Sequence, residues 1–302
     1  MKRKPPIFVL SAPRSFSSIS ASILGGHPEA YSVPELNILI KENMKKFMEE
    51  YRDIFIPQTH GLLRTVSELY AGEQTMETIS MSHRWIIRRA DRKTSDIYEE
   101  ICEKIYPLTL IDKSPAYALL PQRLARIKKY FPDAYYLHIT RHPIDMNKSM
   151  YKLEKGKLLA ILSNSIDFSK ENELIDPQLM WYTCNANILE FLKNISEEKK
   201  LTIKGEEIIN NRKESLRKIC SWMSWSWSTD AYEQMIHPEN SPYAQFGPIG
   251  AELGSDPNFL RSPELRQNNI ISGGLEDNLD WVEKGRKLYP HVKKMGLKLG
   301  YT

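Results

Sequence analysis

The sequence predicts an α/β fold, a single domain across residues 1–302 with a central, mostly parallel β-sheet flanked by helices. Short apolar runs alternate with longer amphipathic segments, which is the rhythm of β-loop-α units. The short runs are apolar throughout and end in polar or turn residues, as buried parallel strands do. No fixed-period repeat, low-complexity block or Pro/Gly-rich linker divides the 302 residues. Ile7 to Leu10 is the first strand. It follows Lys2, Arg3 and Lys4 and so has the look of a basic leader, but its apolar run stops after four residues at Ser11, Ala12, Pro13 and Arg14. Thr109 to Ile111, Tyr135 to Ile139 and Leu201 to Ile203 supply three more strands. Helices are expected at about 17–25, 39–52, 61–71, 94–106, 117–130, 143–154, 177–197, 213–226 and 280–297.

Composition narrows the classes of function. With 41% hydrophobic and 26% charged residues the chain can bury a sizeable core, and a net charge of +4 is too small a bias to nominate nucleic acid as a partner. Cys102, Cys184 and Cys220 are widely spaced and odd in number, which suits a reducing, cytoplasmic setting better than a disulfide framework. No run approaches the roughly 18 apolar residues of a membrane helix. A soluble protein without a membrane partner is expected. The histidines, His83, His138, His142, His237 and His291 among them, show no zinc-ligand spacing, so no metal is expected. Charge is uneven along the chain. Between Asp230 and Asp280 nine acids face two bases, a net of −7 that leaves +11 on the remainder. That segment reads either as a solvated loop region or as a cap over a site that receives something cationic.

Three strand ends carry cations. After Ile7–Leu10 a tight loop holds Arg14, Ser15, Phe16, Ser17 and Ser18 before a helix opens, and a helix start presents unpaired N–H groups to an anion. An N-cap by Ser15 or Ser17 accounts for the same serines without a ligand. After Thr109 to Ile111 comes Asp112-Lys113-Ser114-Pro115, which supplies Lys113. The strand Tyr135 to Ile139 leads into Arg141, with Pro143 at a first helical position and Ser149 two turns in, so Arg141 and Ser149 would converge on one phosphate. In an open parallel sheet these ends line one crevice. Three cations there call for an anionic ligand, with phosphates at both of its ends. The G-x-x-x-x-G-K-[ST] and G-x-G-x-x-G patterns are absent, which speaks against an ATPase, a dinucleotide enzyme or a small-molecule kinase. A noncatalytic nucleotide-binding or RNA-binding protein lacks a recognition module here. Trp222, Trp225 and Trp227 read as helix-core aromatics or as a pocket lining, and Arg84 to Lys93 as a solvated helix face.

Ser11-Ala-Pro-Arg-Ser-Phe-Ser-Ser-Ile resembles the 5′-phosphosulfate loop, P-R-S-G-[ST]-[ST]-L, of sulfotransferases that use 3′-phosphoadenosine 5′-phosphosulfate, and Arg141 with Ser149 eight residues on is similar to their 3′-phosphate motif R-x-P-x-D-x-x-x-S. His27-Pro-Glu-Ala-Tyr-Ser-Val-Pro-Glu, Asp112-Lys-Ser-Pro and Leu299-Gly-Tyr resemble bacterial and natural-product members. Lys204-Gly-Glu-Glu-Ile resembles their Y-E-D-L segment. The sequence departs from these patterns at Phe16, where the loop usually has Gly, and at Gly205, where the later segment has an aromatic residue. The resemblance implies a P-loop-like donor site made of Arg14, Ser15, Phe16, Ser17, Ser18, Arg141 and Ser149, with the desulfated nucleotide as product. It implies transition-state charge from Arg14 and Lys113. Glu35 resembles the catalytic carboxylate of the tyrosylprotein branch, with His60 as a rival base and His27 as a loop-positioning residue. The acceptor implied is a hydroxyl or amine on a small molecule. A polar or cationic secondary metabolite of the alkaloid-toxin type and a carrier-bound or free polyketide hydroxyl both fit.

Overall fold

A computed structural model of the chain describes residues 3–302 apart from 154, 155, 157–160, 162–164, 170–173, 266–269, 271 and 272. The expected strands form at Ile7–Leu10 (β1), Thr109–Asp112, Tyr135–Thr140 and Lys200–Lys204. An unforeseen strand, Ala30–Val33 (β2), precedes the second of these, so that they become β3 and β4. A short antiparallel pair, Ile166–Asp167 (β5) and Leu174–Ile175 (β6), lies apart from the main sheet, and Lys200–Lys204 is β7. The main sheet is parallel throughout, in the order β2-β3-β1-β4-β7. β2 escapes a reading by pattern because Ala-Tyr-Ser-Val holds one β-branched residue and two half-buried positions. Its pairing with β3, Ala30 opposite Thr109, is what makes it a strand.

Both faces of the sheet are covered, which is why its strands read as continuous apolar runs. Along β1, Phe8 and Leu10 face one core with Tyr98, Tyr117, Phe131 and Tyr136, while Ile7 and Val9 face the other with Leu137, Ile139, Ile203 and Leu216. The helix Ser17–Gly25 (α1) forms where expected. The predicted 39–52 helix divides into a 3-10 turn, Ile38–Ile40, and a helix Met44–Glu50 that starts where the Asn43 side chain accepts from the Lys46 N–H at 2.9 Å. Met76–Ile87 is a helix outside the expected set; of the helix face expected from Arg84 to Lys93 only Arg84–Ile87 is helical, and the start signal is the Thr75–Thr78 capping box. The predicted 280–297 helix contracts to Pro290–Lys298, because Gly285 turns the chain at φ 74° and Pro290 occupies the first helical turn. Position 154 of the expected 143–154 helix lies outside the described residues; Pro143–Tyr151 is helical.

Chain order reverses at β1. The chain runs from β1 outward to β2, back to β3, and then across to β4, so the carboxyl ends of β1, β3 and β4 flank a crevice of the kind that receives ligands in open α/β sheets. Among the described residues no helix is long and apolar enough to cross a membrane.

Candidate active site

Strand register places the three cations at one end of the sheet. Phe8 is opposite Asp112, so Lys113 follows directly, and Leu10 is opposite His138, so Arg14 and Arg141 lie on the two neighbouring turns beyond. In the first turn Arg14 and Phe16 adopt φ of 65° and 62°, the left-handed region that non-glycine residues seldom occupy. Phe16 precedes α1 with no side-chain cap, and its carbonyl receives the Ser20 N–H, leaving the first N–H groups of the helix for other partners. Ser15, Ser17 and Ser18 are buried here, and Ser15 Oγ has no hydrogen-bond partner among the described residues. A buried, unpaired hydroxyl beside a helix start fits an anionic oxygen.

The second turn locks onto the first. Arg14 Nε donates to Ser149 Oγ at 3.1 Å and Arg141 Nη1 donates to the Arg14 carbonyl at 2.6 Å. The Trp181 indole N–H holds the Arg141 carbonyl at 2.8 Å. Arg14, Phe16, Ser18, Arg141 and Ser149 thus line one cleft of about 360 Å³. Its lining also includes residues not foreseen. Lys148 and Lys152 flank Ser149, and their spacing with it along Pro143–Tyr151 and just past its end was a usable signal; Asp256, Asn258 and Phe259 come from the acidic segment, where no local pattern announces them. Asp256 forms an ion pair with Arg14.

Glu35, Lys113 and His60, the other expected site residues, do not line that cleft. Lys113, only 2% exposed, donates to Glu35 Oε1 at 2.5 Å. Behind them Asp112 accepts from Ser114 Oγ at 2.6 Å and from the Tyr117 hydroxyl at 3.0 Å, and burial pushes its carboxyl up to about 7. Glu35 is fixed through its backbone: its N–H donates to the Gly254 carbonyl at 2.7 Å, and Gly61 packs against it so closely that a Cβ there would lie 2.1 Å from the Glu35 carbonyl oxygen. His60 Nδ1 accepts the Leu253 N–H at 3.1 Å, which places the ring proton of the neutral form on Nε2. Burial lowers the His60 pKa, so the ring is neutral at pH 7.

His27 anchors its loop as expected, with Nε2 on the Ser226 carbonyl at 2.8 Å and its ring stacked on Trp225. Trp222 and Trp227 pack in the second core beside it, away from the cleft lining. In the Arg84–Lys93 run, Arg89 and Arg92 pair with Glu100.

The two departures from the resembled motifs touch each other. A Cβ at Gly205 would lie 2.8 Å from the Phe16 ring and 2.9 Å from the Ser15 carbonyl oxygen. The ring therefore occupies the space that a side chain at 205 would need.

The chain aligns with known proteins along most of its length. The family model described as "Sulfotransferase family" matches residues 5–229. Among solved structures, the sulfotransferase domain from the curacin biosynthetic pathway superposes with a TM-score of 0.76 at 24% identity, covering 100% of this chain and 99% of that one. The sulfotransferase domain from the Synechococcus PCC 7002 olefin synthase gives 0.70 at 23% identity, covering 100% and 96%. No curated protein sequence matches the chain significantly. The two structural likenesses establish the shared fold. Because the family match runs through β1, β3, β4 and both of the interlocked turns beyond them, the chain belongs to the sulfotransferase family.

Proposed function

We propose that the protein transfers a sulfuryl group from 3′-phosphoadenosine 5′-phosphosulfate to a hydroxyl or amine of a small molecule. One observation carries this reading. The turn after β1 is bonded over a single cleft to the turn after β4 and to the helix that follows it, Arg14 Nε to Ser149 Oγ on that helix and Arg141 Nη1 to the Arg14 carbonyl. Arg141 and Ser149 would hold the 3′-phosphate; Arg14, Ser15, Ser17, Ser18 and the start of α1 would hold the phosphosulfate end. The donor supplies an activated sulfuryl group on a phosphate leaving group. Sulfuryl transfer, like phosphoryl transfer, is governed by alignment and by fixed positive charge where charge builds up. Arg14 and Lys113 provide that charge. Lys113 takes Glu35 Oε1, leaving Oε2 to accept the proton of the acceptor. His60, whose Nδ1 already accepts from Leu253, acts as a positioning residue for the cap rather than as the base.

A polar or cationic acceptor is favoured by the net −7 segment from 230 to 280, which seats Gly254 on Glu35 and Leu253 on His60. A carrier-bound or free acyl hydroxyl is the second reading, favoured by the exposed apolar side chains Phe246 and Ile249 on the same segment. Incubation with labelled donor and a panel of amines, guanidines and acyl alcohols distinguishes them. Failure to bind adenosine 3′,5′-bisphosphate removes both, and magnesium-dependent ATP turnover would point to a kinase instead.

A further inference from the structure

Phe16 has an unusual combination of features for a loop residue. Its backbone sits at φ 62°, it lines the cleft, and it offers α1 no cap, so neither local geometry nor helix capping accounts for an aromatic side chain there. Its ring is instead engaged on two sides. On one, the Arg141 guanidinium lies over the ring with its central carbon 4.2 Å from the centroid, a cation–π contact at short range. On the other, the backbone of Gly205, the first residue of the helix Gly205–Asn210, closes to a distance that admits no Cβ. A guanidinium has several rotatable bonds to immobilise, and holding it on a flat ring before the ligand arrives removes part of that cost from binding.

We infer that Phe16 is a positioning residue for the 3′-phosphate: wedged by Gly205, its ring forms the floor on which the Arg141 guanidinium is held ready in the cleft. This rests on the donor reading above and adds to it a pair of residues that act through Arg141. Gly205 takes part by having no side chain.

The test is a calorimetric titration of the full chain with adenosine 3′,5′-bisphosphate and, separately, with adenosine 5′-phosphate, which differ by the 3′-phosphate alone. Phe16→Leu keeps an apolar side chain and removes the π face. It is expected to weaken the bisphosphate about fivefold, the scale of a partly buried cation–π contact, and to leave adenosine 5′-phosphate unchanged. Phe16→Tyr should restore the wild-type ratio. Gly205→Ala, which displaces the ring, should act in the same direction as Phe16→Leu. In an Arg141→Ala background Phe16→Leu should cost nothing more. If Phe16→Leu weakens both nucleotides equally, the ring serves the purine or merely the loop, and the inference is overturned; an unchanged ratio overturns it as well. A wild-type chain that binds neither nucleotide overturns the donor reading itself, and the role of Phe16 with it.

Discussion

The turns after β1 and β4 hang directly from paired strands, whereas the segment from Asp230 to Asp280 reaches the same site with no strand among its described residues to fix it. In the first case register alone decides where Arg14 and Arg141 emerge, and two hydrogen bonds between the turns complete the arrangement. In the second, position depends on separate tethers. Arg64, 1% exposed, donates to the Leu253 carbonyl at 3.0 Å, His60 takes the Leu253 N–H, Gly254 meets Glu35, and Asp256 pairs with Arg14. The family match covers the first region and stops at residue 229, before the second. On the proposed reading, donor binding belongs to the turns that the sheet fixes and the acceptor side to a segment held by these separate tethers.

The largest effect that would sharpen this contrast is at Glu35. Glu35→Gln keeps the shape of the side chain and removes the proton acceptor; kcat should fall about a thousandfold while the affinity for adenosine 3′,5′-bisphosphate stays within about twofold. A matching loss of nucleotide affinity would merge the two halves of the site. Next come the fixed charges. Arg14→Ala and Lys113→Met should each lower kcat about a hundredfold or more, and Arg14→Ala alone should also weaken the nucleotide. An Arg14→Ala enzyme with normal kcat ends that assignment.

Gly254 tests the tethers. It sits at φ 105° with Gly61 so close that a Cβ would lie 2.9 Å from the Gly61 Cα, and the other neighbours are backbone and Pro34. Gly254→Val should therefore unseat the segment at a cost of about 2 kcal/mol or more, read as faster amide exchange at Leu253 and a raised acceptor KM, with β1 and β4 protected as before. Global unfolding at the same cost would show that the two regions are one cooperative unit.

The smallest effects concern charge and pH. Asp256→Asn removes a carboxylate from the cleft and should tighten adenosine 3′,5′-bisphosphate by about two- to threefold at low salt. His60 has its pKa lowered by burial, so the stability it contributes is present above its unfolded value near 6.5 and is lost as pH falls below that value, when Nδ1 gains a proton and can no longer accept the Leu253 N–H. His138, buried on the Asn185 side chain with its pKa lowered to about 4, adds the same sign of dependence in the sheet. Measured against its intrinsic exchange rate at each pH, the Leu253 amide should lose protection on acidification from pH 7 to 6, and His60→Asn should abolish that loss.

The sheet side was legible because each of its signals is local. Four apolar residues, a turn with Arg14 and a helix start lie consecutively, and so do the end of β4, Pro143 and Ser149. β2 was not legible, since its strand character comes from β3, and neither was the Phe16–Gly205 contact, which joins positions 189 residues apart whose oddities look unrelated in sequence. Asp256 was noticed as part of a charge imbalance, but its pairing with Arg14 depends on how a segment with no strand among its described residues reaches the cleft. The apolar cleft residues Ile209 and Ile270 carried no signal at all.

The proposed function requires that both turns grip one nucleotide. A crystal structure of the chain grown with adenosine 3′,5′-bisphosphate tests this directly. Density is expected for one molecule in the cleft, its 3′-phosphate on Arg141 and Ser149 and its 5′-phosphate against Ser15 and the first N–H groups of α1. Density for the nucleotide elsewhere, or with neither phosphate on Arg141, contradicts it.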